Sequence, residues 1–338
     1  IDNAEYPFLK LKYFSKDPID RTPPQLKNWR ILYEELPEAA LNPMAFFQME
    51  KDTFQQGELL ELKIAVENIG DLDMDSLLVD FKLIDSDNGE EVIQKRMRPL
   101  LVEDTIIASL NIDTRTISGH YTLIIDANPN NDQPELTHQN NVGIRSFFVR
   151  GDRRNPLLDV TFDGIHIMEG DIVSPKTEIK IVLEDENKYL ALSDTSLFRI
   201  WLRYPDEPDP ILIPFNSGLM EFFPADAGNL DDENKARIEF KPDLFKDGTY
   251  KLLVQANDVT GNASGKIDYN ISFEVISKAM ISNVLNYPNP FTTSTQFVYT
   301  LTGTEIPAFY KIQIMTVSGR IVREIDQTEL GELRIGTH

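Results

Sequence analysis

The chain contains no cysteine in 338 residues. No disulfide framework, thiolate metal site or cysteine nucleophile can therefore be built from it. Histidine is nearly as scarce: His120, His138, His166 and His338 are the four, and none stands four residues from another with a glutamate between, as a zinc peptidase helix requires. Positive charge is short as well, with 33 Lys and Arg against 55 Asp and Glu and a formal net charge of −22. A surface of that sign repels phosphate backbones, which excludes sequence-independent binding of nucleic acid. No apolar run approaches the roughly 18 residues that a membrane-spanning helix needs. A Gly-x-Ser-x-Gly elbow is missing too, which leaves a hydrolase nucleophile of that kind unsupported.

What is present is a hydrophobic content of 41%, enough to bury cores for two or three domains of about 100–150 residues each. From Glu58 onward the pattern is one of short alternating runs. Leu60, Leu62, Ile64 and Val66 face one way against Glu61 and Lys63, and Leu77, Val79, Phe81 and Leu83 do so against Asp80 and Lys82. Tyr121, Leu123 and Ile125 form another such run, and Phe147 with Val149 close the set. Turn clusters at Asn68-Ile69-Gly70, at Asp85 to Gly89 and at Ser118-Gly119 separate them. Half-buried strands at this spacing predict an Ig-like sandwich. After the polar connector Gly151 to Pro156, further strands are predicted at 158–162, 179–183, 198–204, 238–240, 250–256 and 267–275. In the last, Ile267, Tyr269, Ile271, Phe273 and Val275 are expected on one buried face. The run Gly261 to Lys266 is one residue short of a phosphate loop and joins two predicted strands, so hairpin chemistry explains it better.

Near the end, Tyr287-Pro288-Asn289-Pro290-Phe291 is followed by alternating Phe297, Tyr299 and Leu301 and by a turn at Ser318-Gly319-Arg320. The prolines withdraw two backbone donors, which suits a sheet edge. In that order these features resemble the C-terminal domain carried by cargo of the bacterial type IX secretion system, itself similar to the Ig-like domain of the flagellar hook-cap family. The segment from about Phe46 to Val149 resembles the CARDB Ig-like module, on Gly57-Glu58, on Val66 to Gly70, and on Asp126, Glu135, Asn140 and Asn141 in the loop before the last strand. Leu158 to Gly164 with Gly170 to Pro175 is similar to a domain beside the sorting domain of gingipain-type cysteine peptidases. Gln25 to Tyr33 and Pro37 to Pro43 resemble the junction after the catalytic region of such enzymes.

The expected fold is all-β, with tandem Ig-like β-sandwich domains. A junction segment is expected at 1–44, a CARDB-like sandwich at 45–150, a second sandwich at 151–278 and an incomplete sorting-type domain at 279–338. The resemblance implies the non-catalytic C-terminal tail of a large secreted protein of the bacterial cell surface, a gingipain-type cysteine peptidase or a relative of the secretion system's own sortase, acting as spacer and export handle. A peptidase region and a signal peptide are expected before Ile1, and a closing strand after His338. Its partners would be the type IX translocon and the outer-membrane β-barrel shuttle protein. Tyr287, Pro288, Asn289, Pro290, Phe291, Ser318, Gly319 and Arg320 would carry recognition by that machinery. The alternative is an adhesin binding a glycan or a protein, for which the aromatics Trp201, Tyr204, Phe215, Phe222 and Phe223 around a proline-bearing insertion are the candidates.

No cofactor is expected except calcium, a hard cation that takes carboxylate and carbonyl oxygens. Two acidic loops qualify by composition: one offers Asp126, Asp132 and Glu135, the other Asp231 and Asp232. Neither follows the fixed spacing of an EF-hand, and Asp and Asn serve equally well as turn formers and caps.

Overall fold

A computed structural model of the chain describes residues 10–22, 26–30, 36–331 and 333–338. Of the junction motif, Gln25 and Ile31 to Tyr33 lie outside the described residues, as does Ile1. The fold is all-β, built from paired sheets that close on separate cores.

The first nine strands are β1 (Ala39–Leu41), β2 (Phe47–Gln48), β3 (Thr53–Gln55), β4 (Leu59–Asn68), β5 (Met74–Asp85), β6 (Glu90–Leu100), β7 (Thr105–Asp113), β8 (Gly119–Ala127) and β9 (Val142–Arg150). One sheet joins β1, β2 and β7 to β4, and the other runs β3-β9-β8-β5-β6. The expected alternation is what holds them together: Leu60, Leu62, Ile64 and Val66 meet Leu77, Val79, Phe81, Leu83, Leu123, Ile125 and Phe147 in one core. Each fully buried Leu, Ile or Phe there contributes about 1.5–3 kcal/mol. Strand β1 lies ahead of the expected start at residue 45, yet its backbone pairs with β4 and Ala39 is buried in this core. Three residues are too few to show a period, so the strand is invisible until its partner is known.

The next nine are β10 (Leu157–Phe162), β11 (Asp171–Val173), β12 (Ile179–Asp185), β13 (Phe198–Arg203), β14 (Ile211–Leu212), β15 (Met220–Phe223), β16 (Asn234–Phe240), β17 (Gly248–Ala256) and β18 (Tyr269–Val275). They form sheets of order β10-β12-β16-β15 and β11-β18-β17-β13-β14. The core between them includes Phe162, Ile181, Ile200, Phe240, Tyr250 and Phe273. Strand β18 begins at Tyr269, not Ile267, whose side chain is 87% exposed. Alternation placed Ile267 on the buried face, but the β17 partner register ends at Tyr269 and leaves nothing for it to pack on.

The remaining elements are β19 (Met280–Tyr287), β20 (Gln296–Thr302), β21 (Ile312–Met315), β22 (Ile321–Ile325), the short helix α1 (Gln327–Leu330) and β23 (Gly336–Thr337). Sheet β19-β20-β23 and hairpin β21-β22 enclose a small core of Tyr299, Leu301, Tyr310 and Leu333.

Tyr250 locks the second sandwich at a corner. Its ring stacks on Phe273 at 5.6 Å while its hydroxyl donates to the Lys246 carbonyl at 2.9 Å and accepts from the Lys246 N–H at 3.2 Å. A buried tyrosine at the start of a strand, bonded to backbone a few residues upstream, is the corner device of Ig-like sandwiches. Tyr250→Phe keeps the ring and strands both Lys246 groups, so a loss of about 1–3 kcal/mol is expected. The check is a lowered denaturant midpoint for the second sandwich's unfolding, with the other transitions unmoved.

Candidate functional site

The expected recognition residues sit at two ends of the terminal unit. Tyr287 closes edge strand β19, and Pro288 to Phe291 form the bend beyond it, so the motif caps an edge strand as its missing donors require. Tyr287 is 70% exposed and Phe291 52% exposed, both outside the small core. The Thr295 hydroxyl donates to the Pro288 carbonyl at 2.9 Å and fixes the bend. Ser318, Gly319 and Arg320 turn β21 into β22, where Gly319 has a φ of 83° that a side chain would resist. The Thr316 hydroxyl accepts from the Arg320 N–H at 3.1 Å. Both groups are exposed, and both shape turns rather than a pocket.

The aromatics of the insertion fold back on their own sandwich. Phe222 packs edge-on against Phe198 and Phe215, Tyr204 against Tyr250, and the Arg237 guanidinium lies 4.2 Å from the Phe223 ring centre. Trp201 is half-buried in β13 opposite Leu212.

Among the described residues, the carboxylates of the two acidic loops are spread over separate partners. Glu135 is a structural acceptor: its Oε2 takes the Ala39 N–H at 2.7 Å and its Oε1 takes the Asn141 side-chain amide at 2.9 Å and that of Asn128. Burial is the first cause that pushes the Glu135 carboxyl above its ordinary range, with these bonds opposing it. Beside the half-buried Glu135, the buried Glu38 accepts from the Leu136 and Thr137 N–H groups and from Asn140. The two glutamates thus stitch β1 to the loop before β9. Asp132 instead pairs with Arg96 at 3.2 Å. His138 Nε2 stands 2.8 Å from Asp126 Oδ1 without hydrogen-bond geometry. In the second loop Asp231 pairs with Lys188 at 3.3 Å, and Asp232 points to solvent.

Where the structure does gather carboxylates is elsewhere. Among the described residues, Asp152, Asp185 and Asp258 place oxygens within 4.8 Å of one another. Asp152 belongs to the connector after β9, Asp185 ends β12, and Asp258 opens the turn from β17 toward β18. Sequence reasoning missed all three because they lie far apart along the chain, each inside a stretch that reads as an ordinary turn. The one available signal was the repeated Asp beside Asn, at 185–187 and 258–262. Asp185 is 5% exposed and its Oδ1 has no hydrogen-bond partner, whereas Asp258 accepts from the Asn262 N–H at 2.7 Å and the Thr260 hydroxyl at 2.9 Å. Burial first, then the charges of Asp152 and Asp258, push the Asp185 carboxyl up to about 7 from 3.8; Glu186 adds to this and the Asn187 N–H opposes it.

Two outcomes follow from these carboxylates. Glu135→Ala leaves the Ala39 N–H without an acceptor and takes one of two acceptors from each of the Asn128 and Asn141 side-chain amides, so the first sandwich is expected to lose about 2–4 kcal/mol, read as a lower denaturant midpoint. For Asp185, the folded chain holds a proton that the unfolded chain releases between about pH 4 and pH 7. Stability therefore declines as pH rises through that window, by up to about 4 kcal/mol. Melting in metal-free buffer should show that slope in the wild type and a flatter profile in Asp185→Asn.

No protein-family model matches the chain, and no curated protein does. Among solved structures the chain is similar to the CARDB domain of the PF1109 protein in complex with di-metal ions from Pyrococcus furiosus, at 19% identity over 36% of this chain and 100% of that one, with a TM-score of 0.29. It is also similar to dimeric latent PorU from Porphyromonas gingivalis, at 14% identity over 86% of this chain and 29% of that one, with a TM-score of 0.28.

Proposed function

We propose that this chain is a non-catalytic stack of Ig-like modules from an exported bacterial surface protein, with the terminal unit serving as the handle that the type IX machinery grips. The observation that carries the reading is the contrast between that unit's core and its surface. Only Tyr299, Leu301, Tyr310 and Leu333 are buried in its core among the described residues, while Val284, Tyr287, Phe291, Val317 and Val322 are exposed around it. Exposed aromatic and branched side chains beside a sheet edge supply the contact area and the free backbone groups that another protein uses for docking. The first two sandwiches are spacers on this reading, which the inward packing of the insertion's Tyr204, Phe215 and Phe222 supports. The translocon and the outer-membrane β-barrel shuttle protein are the proposed partners, and the bacterial surface the proposed destination. No described helix is long and apolar enough to cross a membrane.

The test is export of a reporter that carries residues 39–338 behind a periplasmic leader in a bacterium with the type IX machinery. Surface display is expected, and the pair Tyr287→Ala and Phe291→Ala should reduce it by about tenfold or more at unchanged periplasmic abundance. Equal display after removal of residues 279–338 would sink the assignment.

A further inference from the structure

We propose that Asp152, Asp185 and Asp258 form a calcium site that fastens the connector of the first sandwich onto the second. Three observations converge on it. The carboxylate oxygens lie within 4.8 Å of one another, close enough for one cation bonded at about 2.3–2.6 Å to reach all three, and three protein carboxylates suit calcium better than magnesium, which keeps several of its waters. Asp185 and Asp258 are 5% and 2% exposed, so solvent does little to screen their repulsion, and Asp185 Oδ1 is buried without a hydrogen-bond partner. Among the described residues no Lys, Arg or His forms a salt bridge with any of the three carboxylates: Arg154 pairs instead with Glu186 at 3.0 Å and Lys188 with Asp231 at 3.3 Å. A buried group of like charges either sheds charge or takes a positive compensator, and a cation is the compensator that three converging carboxylates are built to hold. The donors are all oxygens, which selects a hard cation over zinc or copper.

The surroundings hold the three groups in place. The Asn187 side chain donates to Asp152 Oδ2 at 2.7 Å, and its own oxygen is fixed by the Tyr189 and Leu190 N–H groups, both at 2.9 Å. Asn262 donates to Asp258 Oδ2 at 2.7 Å. Asp152 also donates its N–H to Gln56 Oε1 at 3.0 Å, in the β3 to β4 turn of the first sandwich. Beside it Gly57, at φ 93°, lies so close to the second sandwich that a Cβ there would stand 2.7 Å from Leu190 and 2.9 Å from Tyr189. A cation bound by Asp152 from the connector and by Asp185 and Asp258 from the second sandwich therefore closes a joint that is already in contact. The site stands whether or not the chain is exported.

Calorimetric titration of the chelator-stripped chain with calcium is the direct test. Binding with a Kd of about 10⁻⁴ to 10⁻³ M, the range of extracellular calcium modules, is expected, together with a Tm rise of about 3 °C or more at tenfold excess over Kd. Calcium should also slow tryptic cleavage after Arg153 and Arg154 in the connector, which binding away from the joint would not do. Asp185→Asn and Asp258→Asn should each weaken binding about tenfold or more, while the pair Asp231→Asn and Asp232→Asn leaves it unchanged. If the buried variants fail to fold, the more exposed Asp152→Asn, with circular dichroism to verify its fold, gives the same comparison. Absence of binding and of any Tm shift, equal binding in Asp152→Asn, or magnesium acting as well as calcium would each overturn the assignment.

Discussion

Closure of one apolar sheet face against another is the constraint on which this molecule depends. With no covalent cross-link to limit the unfolded chain, each module has only the apolar area it hides to offset the entropy of ordering its strands. The first two sandwiches meet that demand with full two-sheet cores, rich in Leu, Ile, Val and Phe. The terminal unit encloses four buried residues between a three-stranded sheet and a two-stranded hairpin, and keeps much of its remaining apolar surface outside.

Polar order is layered onto that frame by asparagine and glutamate rather than by ion pairs. Asn68 donates to the Leu72 and Leu100 carbonyls, and Asn234 holds the Asn187 and Leu190 carbonyls and the Leu192 N–H. Glu38 and Glu135 do the equivalent for the loop that precedes β9. These buried groups have partners, which is what makes a buried polar atom tolerable. Asp185 differs from them in that its Oδ1 is buried and unmatched. Chain-wide salt bridges are mostly exposed pairs such as Lys82 with Glu90, and contribute little each.

The strands with a clean alternation were legible in the sequence: β4, β5, β12, β17 and most of β18 bury the residues their pattern marks. Strand β7 carries the same signal in Ile106, Ala108, Leu110 and Ile112 and was passed over. By contrast β6 reads Glu-Glu-Val-Ile-Gln-Lys-Arg and lies on the open side of β5, so hydrogen bonding to its neighbour places it and no burial pattern could. Short strands such as β1 and β11 exist only through their partners. The turn chemistry at Ser318-Gly319 was readable because a left-handed backbone demands glycine. The acidic trio was not, since proximity between Asp152, Asp185 and Asp258 is a product of the finished topology, and composition pointed instead to loops whose carboxylates the fold spreads over Ala39, Arg96, His138, Lys188 and solvent.

Both larger sandwiches share one detail of register. A three-residue strand near the beginning of each runs parallel to its last strand, β3 beside β9 and β11 beside β18. When the two strands of such a pair are drawn apart along their length, the load falls in shear across every bond of the pair together. An antiparallel hairpin pulled at its open end would instead give way one rung at a time. The placement of those six residues gives each sandwich one short ladder that resists in shear a pull along the strands it joins.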